Sequence, residues 1–221
     1  LSITEQEASI KAEQTETVKV SDLVKRLIEQ VSFEARESEL VDKKSGVSAR
    51  LTIAAYENAV SAAERRAIIN GEKNTIVWLS DLAGIIPSIT GKIELVYEGE
   101  QEGPYQVAYN LLEKAIRTQF AQYFPGPETF KKRKVGSQEK ENPYKAVINW
   151  FDAGNSLSIF ADLKDADKMQ LLYKVSGLDA LVRKYFNAPS EKEHALLMEL
   201  VLYGLAAYSL ISKKMVEGKI E

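Results

Sequence analysis

The chain has 221 residues, of which 45% are hydrophobic and 28% are charged, and its formal net charge is -3. This composition is typical of one or two globular domains, and it lacks the basic excess of dedicated nucleic-acid binders, so a nucleic-acid partner is not expected. Because the sequence contains no cysteine, disulfides, zinc knuckles and thiol nucleophiles are excluded. No apolar run reaches about 18 residues and no signal peptide opens the chain, so we expect a cytoplasmic protein without a membrane partner.

The first third of the chain predicts a polar lead-in and two helices. Residues 1–20 are rich in Glu, Gln, Thr and Lys, and we expect them to be extended or poorly ordered. Ser21 is a favourable N-cap, and apolar residues at helical spacing then predict a helix to about Ser38. After a polar turn, a second helix is expected to begin with Ser48 as its cap and to end before Gly71. Its many alanines predict close packing against a neighbouring helix.

The next segment mixes strand and helix signals. Residues 75–79 have strand propensity and residues 93–97 alternate apolar with charged side chains, so together they predict one short two-stranded element. A brief helix is expected between them, ending near Pro87. A longer helix is predicted from Pro104 to Tyr123, because proline is favoured in the first turn of a helix.

A linker divides the remaining sequence. It is rich in proline and glycine and contains the basic run Lys131–Lys134, which we interpret as solvated chain because acidic residues dilute it. Beyond it, helices are predicted near residues 144–153, 165–175, 177–186 and 190–214. The predicted fold is mainly α, with two helical bodies and at most one short β element. Its parts are a lead-in at 1–20, a first body at 21–124, a linker at 125–143 and a second body at 144–221.

Arg50 is the most informative single residue. A cation in the first turn of a helix opposes the helix dipole, at a cost of roughly 0.3–1 kcal/mol. The same helix end presents free N–H groups that suit an anion, so an arginine there is accounted for if it also reaches a phosphate. The alternative is a structural ion pair with a nearby carboxylate such as Glu39 or Asp42. Local physics leaves both interpretations open.

The neighbourhood of Arg50 resembles a known family. Over about residues 20–124, an ordered series of segments is similar to the lid of magnesium-chelatase-like AAA+ ATPases. In that family an arginine near the start of a lid helix, called sensor 2, points at the nucleotide γ-phosphate, and the matching position here is Arg50. The segments that carry the resemblance are Ser-Gly-Val-Ser-Ala-Arg-Leu at 45–51, Ala-Ala-Tyr-Glu at 54–57, Ser-Ala-Ala-Glu-Arg-Arg-Ala at 61–67 and Gly-Lys-Ile-Glu-Leu-Val-Tyr-Glu-Gly at 91–99.

The resemblance implies a lid without its catalytic core. The sequence has no Gly-x-x-x-x-Gly-Lys-Ser/Thr loop and no hydrophobic strand ending in paired acids, so no catalytic residue is assigned. Residue 1 is Leu rather than Met, so either a methionine was removed or the chain is a fragment of a longer protein. The resemblance implies that the missing parts lie upstream in a longer parent. ATP and Mg²⁺ would bind in that parent, and none to this chain alone. The chain would then be a C-terminal lid and helical region that senses nucleotide state and couples hydrolysis to the remodelling of an unidentified protein partner.

Several other polar residues are weighed as site candidates. Arg65 and Arg66 are subunit-interface candidates, because rings of this family bury arginines between subunits and the parent would self-associate as a ring. Surface pairing along the helix is the favoured alternative for both. His194 is the sole histidine and is interpreted as a surface residue, so no metal ligand is assigned. Asp165 and Asp167 are interpreted as acids in the first turn of a helix.

A second hypothesis is a helical protein-interaction module with no nucleotide role. Its interfaces would be the apolar helix at 190–214 and the alanine-rich helix at 48–70. A stand-alone enzyme is disfavoured because no nucleophile, metal set or acid–base pair stands out in the sequence. The presence or absence of an upstream P-loop in the same reading frame separates the two hypotheses.

Overall fold

A computed structural model describes residues 2–131, 142–213, 215–216 and 219–220. These residues are mostly helical, which confirms the predicted mainly α fold. The chain divides into two compact units, Leu1–Gln119 and Phe120–Glu221. The predicted body limits at 21–124 and 144–221 stay predictions. No helix within the described ranges is long and apolar enough to cross a membrane.

The first unit is built around one long helix. Its elements are α1 (Ser2–Glu7), α2 (Ala12–Thr17), β1 (Val18–Lys19), α3 (Asp22–Glu37), α4 (Arg50–Asn70), β2 (Thr75–Ile76), a 3-10 helix (Leu79–Ile85), α5 (Ile86–Thr90), α6 (Tyr97–Glu102) and α7 (Pro104–Tyr123), whose last turn belongs to the second unit.

The central helix α4 packs closely against its neighbours, as its alanines predict. Ala55, Ala59 and Ala63 are fully buried on α4, and the 3-10 helix and α5 lie against it. At Gly84, in the 3-10 helix, an added Cβ would lie 3.1 Å from the Cβ of Ala62. Small side chains on both helices therefore set the short distance between them, since little space is left at this contact.

The predicted starts and stops of α3 and α4 hold to within a few residues. Ser21 caps α3 by accepting a hydrogen bond from the Val24 N–H at 3.3 Å. Gly71 ends α4 in the left-handed conformation with φ at +67°, where a side chain would be strained. The N-cap of α4 is Ala49 rather than Ser48, although the Ser48 hydroxyl still accepts from the Arg50 N–H at 3.3 Å.

The lead-in is ordered, contrary to the expectation of an extended or poorly ordered segment. Its helices α1 and α2 both contact α4. The Ser9 N–H donates to Glu57 at 2.7 Å, and the Gln14 amide donates to Glu64, also at 2.7 Å. Polar residues of the lead-in thus pair with polar residues of α4. Hydrophobic periodicity does not register contacts of this kind.

The strand pairing differs from the predicted one. β2 pairs in parallel with β1, through Val18–Thr75 and Lys19–Ile76, and not with residues 93–97. The buried Val18 at the end of the lead-in supplies the edge that β2 needs. Leu95 instead forms an isolated antiparallel bridge with Val41.

The second unit is assembled around α12. Its described elements are α8 (Glu128–Lys131), α9 (Lys145–Asp152), α10 (Asp165–Lys174), α11 (Leu178–Tyr185), α12 (Glu191–Ala207), β3 (Met215–Val216) and β4 (Lys219–Ile220). The helix α8 lies within the predicted linker. Residues 132–141, with most of the basic run Lys131–Lys134, lie outside the described residues.

The helix α12 is the core of this unit and is capped at both ends. Ser190 accepts from the Glu193 N–H at 3.2 Å, as predicted. The helix stops at Ala207 rather than near 214, because Ser209 turns into the left-handed conformation at φ +55°. The Leu210 N–H then reaches the Leu205 carbonyl at 2.9 Å and satisfies the helix end without a glycine.

Aromatic side chains fill the space beside α12. Phe120 stacks on Phe124 with ring centroids 5.5 Å apart and lies 5.8 Å from the ring of Tyr144. A Cβ added at Gly204 would lie 2.2 Å from the Phe120 ring, so α12 needs a glycine where this ring crosses it. Burial raises the pKa of Tyr144, whose hydroxyl donates to the Pro125 carbonyl.

Candidate functional site

The residues around Arg50 form an exposed loop that is held at both ends. Before the loop, the Asp42 N–H donates to the Glu94 carbonyl at 2.8 Å, and the Val96 N–H donates to the Leu40 carbonyl at 3.1 Å. These hydrogen bonds flank the bridge between Val41 and Leu95. After the loop, α4 begins at Arg50. The loop is therefore a fixed connection between a bridged backbone and the central helix.

Side chains tie the interior of the loop. The Asp42 carboxylate accepts from the Lys44 N–H at 2.8 Å, and the Ser45 hydroxyl contacts the carboxylates of both Asp42 and Glu94. From α3, the Arg36 guanidinium donates twice to the Val47 carbonyl, at 3.3 and 3.4 Å. The segment Ser45–Leu51 that carries the family resemblance thus has a defined shape.

Gly99 permits the close approach on which this arrangement depends. A Cβ at this position would lie 2.5 Å from the Leu40 carbonyl oxygen, shorter than any tolerable contact. This glycine closes the segment at 91–99 that also carries the resemblance. The two matching segments, 45–51 and 91–99, are therefore neighbours in space through Ser45, Glu94 and the bridge.

Arg50 lies at the exposed start of a 21-residue helix. Within the part of the chain that the structure describes, its guanidinium makes no hydrogen bond or ion pair, and neither Glu39 nor Asp42 pairs with it. Lys43 and Lys44 are also exposed in the same loop. The free N–H groups at a helix N-terminus suit an anion such as a phosphate, and the exposed Arg50 guanidinium adds positive charge at that end. These groups offer charge and hydrogen bonds, but no nucleophile or general base.

The two adjacent arginines of α4 lie in opposite environments. Arg65 is exposed, whereas the Arg66 side chain is 2% exposed. The Arg66 guanidinium donates to both carboxylate oxygens of Asp81 at 3.1 Å, to the Thr75 hydroxyl at 2.9 Å and to the Ile76 carbonyl at 2.9 Å. The surface-pairing interpretation is therefore wrong for Arg66. A subunit-interface role for either arginine stays a prediction.

The Arg66 cluster organises the segment after α4. Asp81 also accepts from the Trp78 N–H at 2.9 Å, so a single carboxylate joins α4 to the start of the 3-10 helix. Glu72 adds a longer contact to Arg66 at 3.4 Å. Because these groups lie in the interior, each hydrogen bond replaces one that water would otherwise make. The cluster fixes β2 and the 3-10 helix against α4.

His194 is buried rather than on the surface, which corrects the interpretation made from its place in a helix's first turn. It is 6% exposed, its Nε2 lies 2.7 Å from Asp179 Oδ1, and its ring stacks on Tyr173 with centroids 6.3 Å apart. Arg183 donates to the same carboxylate at 2.9 Å. Among the described residues, no group of three or more His, Asp or Glu side chains is placed to hold a metal ion.

Other charged residues of the second unit are buried, and the sequence interpretation missed them. Asp165 is 2% exposed and pairs with Lys192 at 2.8 Å, in addition to lying in the first turn of α10. Lys168 and Glu199 are fully buried. Glu199 is the one charged residue between Ala195 and Ile211 in the sequence. A single charge within an otherwise apolar helix could have been predicted to be buried.

The Asp179 carboxylate makes the stability of the second unit depend on pH. Burial raises the pKa of this carboxyl, but hydrogen bonds from Arg183 and His194 outweigh burial and hold its pKa below the ordinary 3.8. A lowered carboxyl pKa adds stability that is fully present above the unfolded value and is lost as the pH falls through the folded value.

We therefore expect Asp179→Asn to destabilise the second unit at neutral pH, with a difference from wild type that shrinks as the pH falls below about 3.8. His194 is the one histidine of the chain, so its Cε1–H NMR signal during urea unfolding reports this unit alone. Asp167→Asn, at an exposed position of α10, is the matched control. A difference that grows as the pH falls would contradict the expectation.

Comparison with protein-family models, with curated proteins and with solved structures gives no match.

Proposed function

We propose that this chain carries the nucleotide-sensing lid of a magnesium-chelatase-like AAA+ ATPase, with Arg50 as the residue directed at the γ-phosphate. The observation that carries the proposal is the exposed Arg50 guanidinium at the start of α4, without an ion-pair partner in the described chain. A structural arginine would be expected to pair with Glu39 or Asp42. An arginine that binds a ligand outside the chain would pair with neither Glu39 nor Asp42.

The residues fit one part of the expected ligand and not the other. Arg50, Lys43 and Lys44 suit a phosphate, whereas the described residues offer no carboxylate cluster for Mg²⁺. In the proposed parent, the metal and the remaining phosphate contacts belong to the ATPase core upstream. This assignment of the metal and the remaining phosphate contacts to another part of the parent agrees with the absence of a P-loop from the sequence.

The proposed mechanism is a shift of α4 with nucleotide state. Arg50 gains contacts with a γ-phosphate that disappear after hydrolysis, and a ligand shifts an equilibrium only through such differential contacts. Because α4 packs along its length against α3, α5 and the 3-10 helix, a movement of its first turn is passed to the whole unit. The unidentified partner would respond to that tilt.

The isolated chain is expected to bind ATP weakly or not at all and to show no ATP turnover, because it has no P-loop and no Walker B acids. Phosphate release by the purified chain, measured against a blank without protein, tests this expectation. Turnover above the blank would contradict the assignment of catalysis to an upstream core.

Gene context separates this proposal from a helical interaction module without a nucleotide role. A reading frame that continues upstream of Leu1 into a P-loop supports the lid. Translation that starts immediately before Leu1 overturns the lid and leaves the interaction module, which the exposed Ile68 and Ile69 of α4 would favour.

A further inference from the structure

An asparagine followed by glycine lies at the end of α4. Asn70 is the last residue of the helix, and Gly71 follows it in the left-handed conformation at φ +67°. They form the one Asn-Gly pair in the sequence. Gly71 is exposed, and a Cβ placed on it would meet no atom within 4 Å, so water reaches the peptide bond between the two residues.

The chemistry of this pair follows from its covalent structure. A bond between the side-chain amide carbon of Asn70 and the backbone nitrogen of Gly71 closes a succinimide ring. Glycine leaves the approach of that nitrogen open, since it has no Cβ. The side-chain amide nitrogen is then the leaving group, so the pair can lose ammonia in water without an enzyme.

The folded helix end holds both reacting groups in other hydrogen bonds. The Gly71 N–H donates to the Ile68 carbonyl at 3.2 Å. The Asn70 side-chain amide donates to the Arg66 carbonyl at 2.9 Å. Ring closure therefore requires the last turn of α4 to open first. Local opening of this kind costs less free energy than global unfolding, so it occurs within the native state.

We infer that Asn70 is a site of spontaneous deamidation, reached when the last turn of α4 opens. The Gly71 nitrogen loses its proton to hydroxide and bonds to the Asn70 Cγ. The bond from Cγ to Nδ2 breaks, and the departing nitrogen takes a proton from water and leaves as ammonia. Water then opens the succinimide at either carbonyl, which gives aspartate or isoaspartate. No oxidant or reductant takes part, and the reaction does not depend on the nucleotide role of Arg50.

The product weakens the helix end on which it forms. In the folded chain the Glu72 N–H donates to the Ala67 carbonyl at 2.9 Å, and this bond closes the turn together with that of Gly71. Isoaspartate carries the main chain through the former side chain, and the added backbone carbon moves both donors out of place. Either product also puts a negative charge at the C-terminus of α4, where the helix dipole disfavours an anion.

Peptide mapping of the aged chain tests the inference. The full chain is kept in mildly alkaline buffer with and without guanidinium chloride, and trypsin then separates residues 67–73 from residues 74–92. In the unfolded sample Asn70 should convert faster than Asn74, which precedes a bulky threonine. In the folded sample conversion of Asn70 should be about 10- to 100-fold slower, because the helix end must open first.

Each outcome of the mapping decides a part of the inference. An unfolded chain in which Asn70 converts no faster than Asn74 overturns the site. Equal rates in the folded and unfolded chains overturn the required opening of α4. A folded chain without any conversion, after a time in which a roughly 100-fold slower reaction would be complete, overturns deamidation of the native protein.

Two substitutions of Ile68 show whether the helix end controls the rate. Ile68 is 71% exposed in the last turn of α4, and replacing it changes neither reacting residue. In the folded chain, Ile68→Gly should convert about fivefold faster than Ile68→Ala, because glycine is the poorer helix former by about 1 kcal/mol. In guanidinium chloride the two variants should convert equally. A difference that persists in the unfolded chain, or none in the folded chain, contradicts control by the helix end.

Substitutions of Asn70 itself separate the effects of charge and backbone. Asn70→Gln should keep its charge during the same incubation, because its longer side chain forms the imide ring far more slowly. Asn70→Asp adds the charge without the extra backbone carbon, so it should unfold at a lower guanidinium concentration than wild type. The isoaspartate fraction of the aged chain should unfold at a lower concentration still. An aged fraction that unfolds like wild type contradicts the weakening of the helix end.

Discussion

Arg50→Ala, made in the proposed full-length parent ATPase, is expected to slow ATP hydrolysis by about 10- to 100-fold while weakening nucleotide binding far less. The reason is that a charge near the γ-phosphate matters most in the transition state, when negative charge moves toward the leaving oxygen. Arginine fingers contribute about 10³–10⁵ in rate, and a sensor arginine is a similar charge in a less central place.

Two measurements on the same variant distinguish the phosphate role from a structural one. The thermal midpoint of Arg50→Ala should match wild type, because the side chain is exposed and forms no hydrogen bond or ion pair within the described chain. Arg26→Ala removes an exposed arginine from α3 and serves as the control for charge. A lower midpoint with unchanged turnover of the folded fraction would contradict the proposal, as would equal turnover losses in both variants.

Arg66→Ala is expected to lower the free energy of unfolding of the first unit by about 3–5 kcal/mol, because it leaves the buried Asp81 carboxylate without its counter-charge. The Thr75 hydroxyl and the Ile76 carbonyl lose a donor in the same change. Removing one partner of a buried pair costs more than the pair itself contributes, since the remaining charge stays out of water.

The neighbouring arginine is the matched control. Arg65→Ala should change the free energy by no more than about 0.5 kcal/mol, as is usual for an exposed position. In a Trp150→Phe background, Trp78 is the one remaining tryptophan, so fluorescence during urea unfolding follows the first unit alone. Equal midpoints for the two arginine variants would show that the buried cluster contributes little.

Helix boundaries were accessible from the sequence because they depend on local chemistry. Caps such as Ser21 and Ser190, the stop at Gly71 and the proline start of α7 all act within a few residues of chain. The end of α12 was missed because Ser209 adopts the left-handed conformation. A helix stop of this kind is usually recognised in a sequence from a glycine, and no glycine is present here.

Contacts between segments that are distant in the sequence could not be predicted in this way. The pairing of β1 with β2 joins residues in different thirds of the first unit, and a two-residue strand carries too little pattern to name its partner. The buried state of Arg66 was readable in part, because it continues the stripe of Leu51, Ala55, Ala59 and Ala63 along α4. Its partner Asp81 lies beyond the turn at Gly71, so the ion pair could be identified only from the folded structure.

The contacts of the lead-in have a consequence for the order in which the first unit folds. Thr4, Ser9 and Gln14 reach residues of α4 that lie 48 to 50 positions later in the chain. The helices α1 and α2 have six residues each, too few to persist alone in water. During synthesis these residues leave the ribosome well before α4 is complete. They are therefore expected to stay unfolded until α4 has formed and they can pack against it. The residues of α1 and α2 are therefore expected to be among the last of the unit to become protected from amide exchange, and the first to lose that protection when the unit opens.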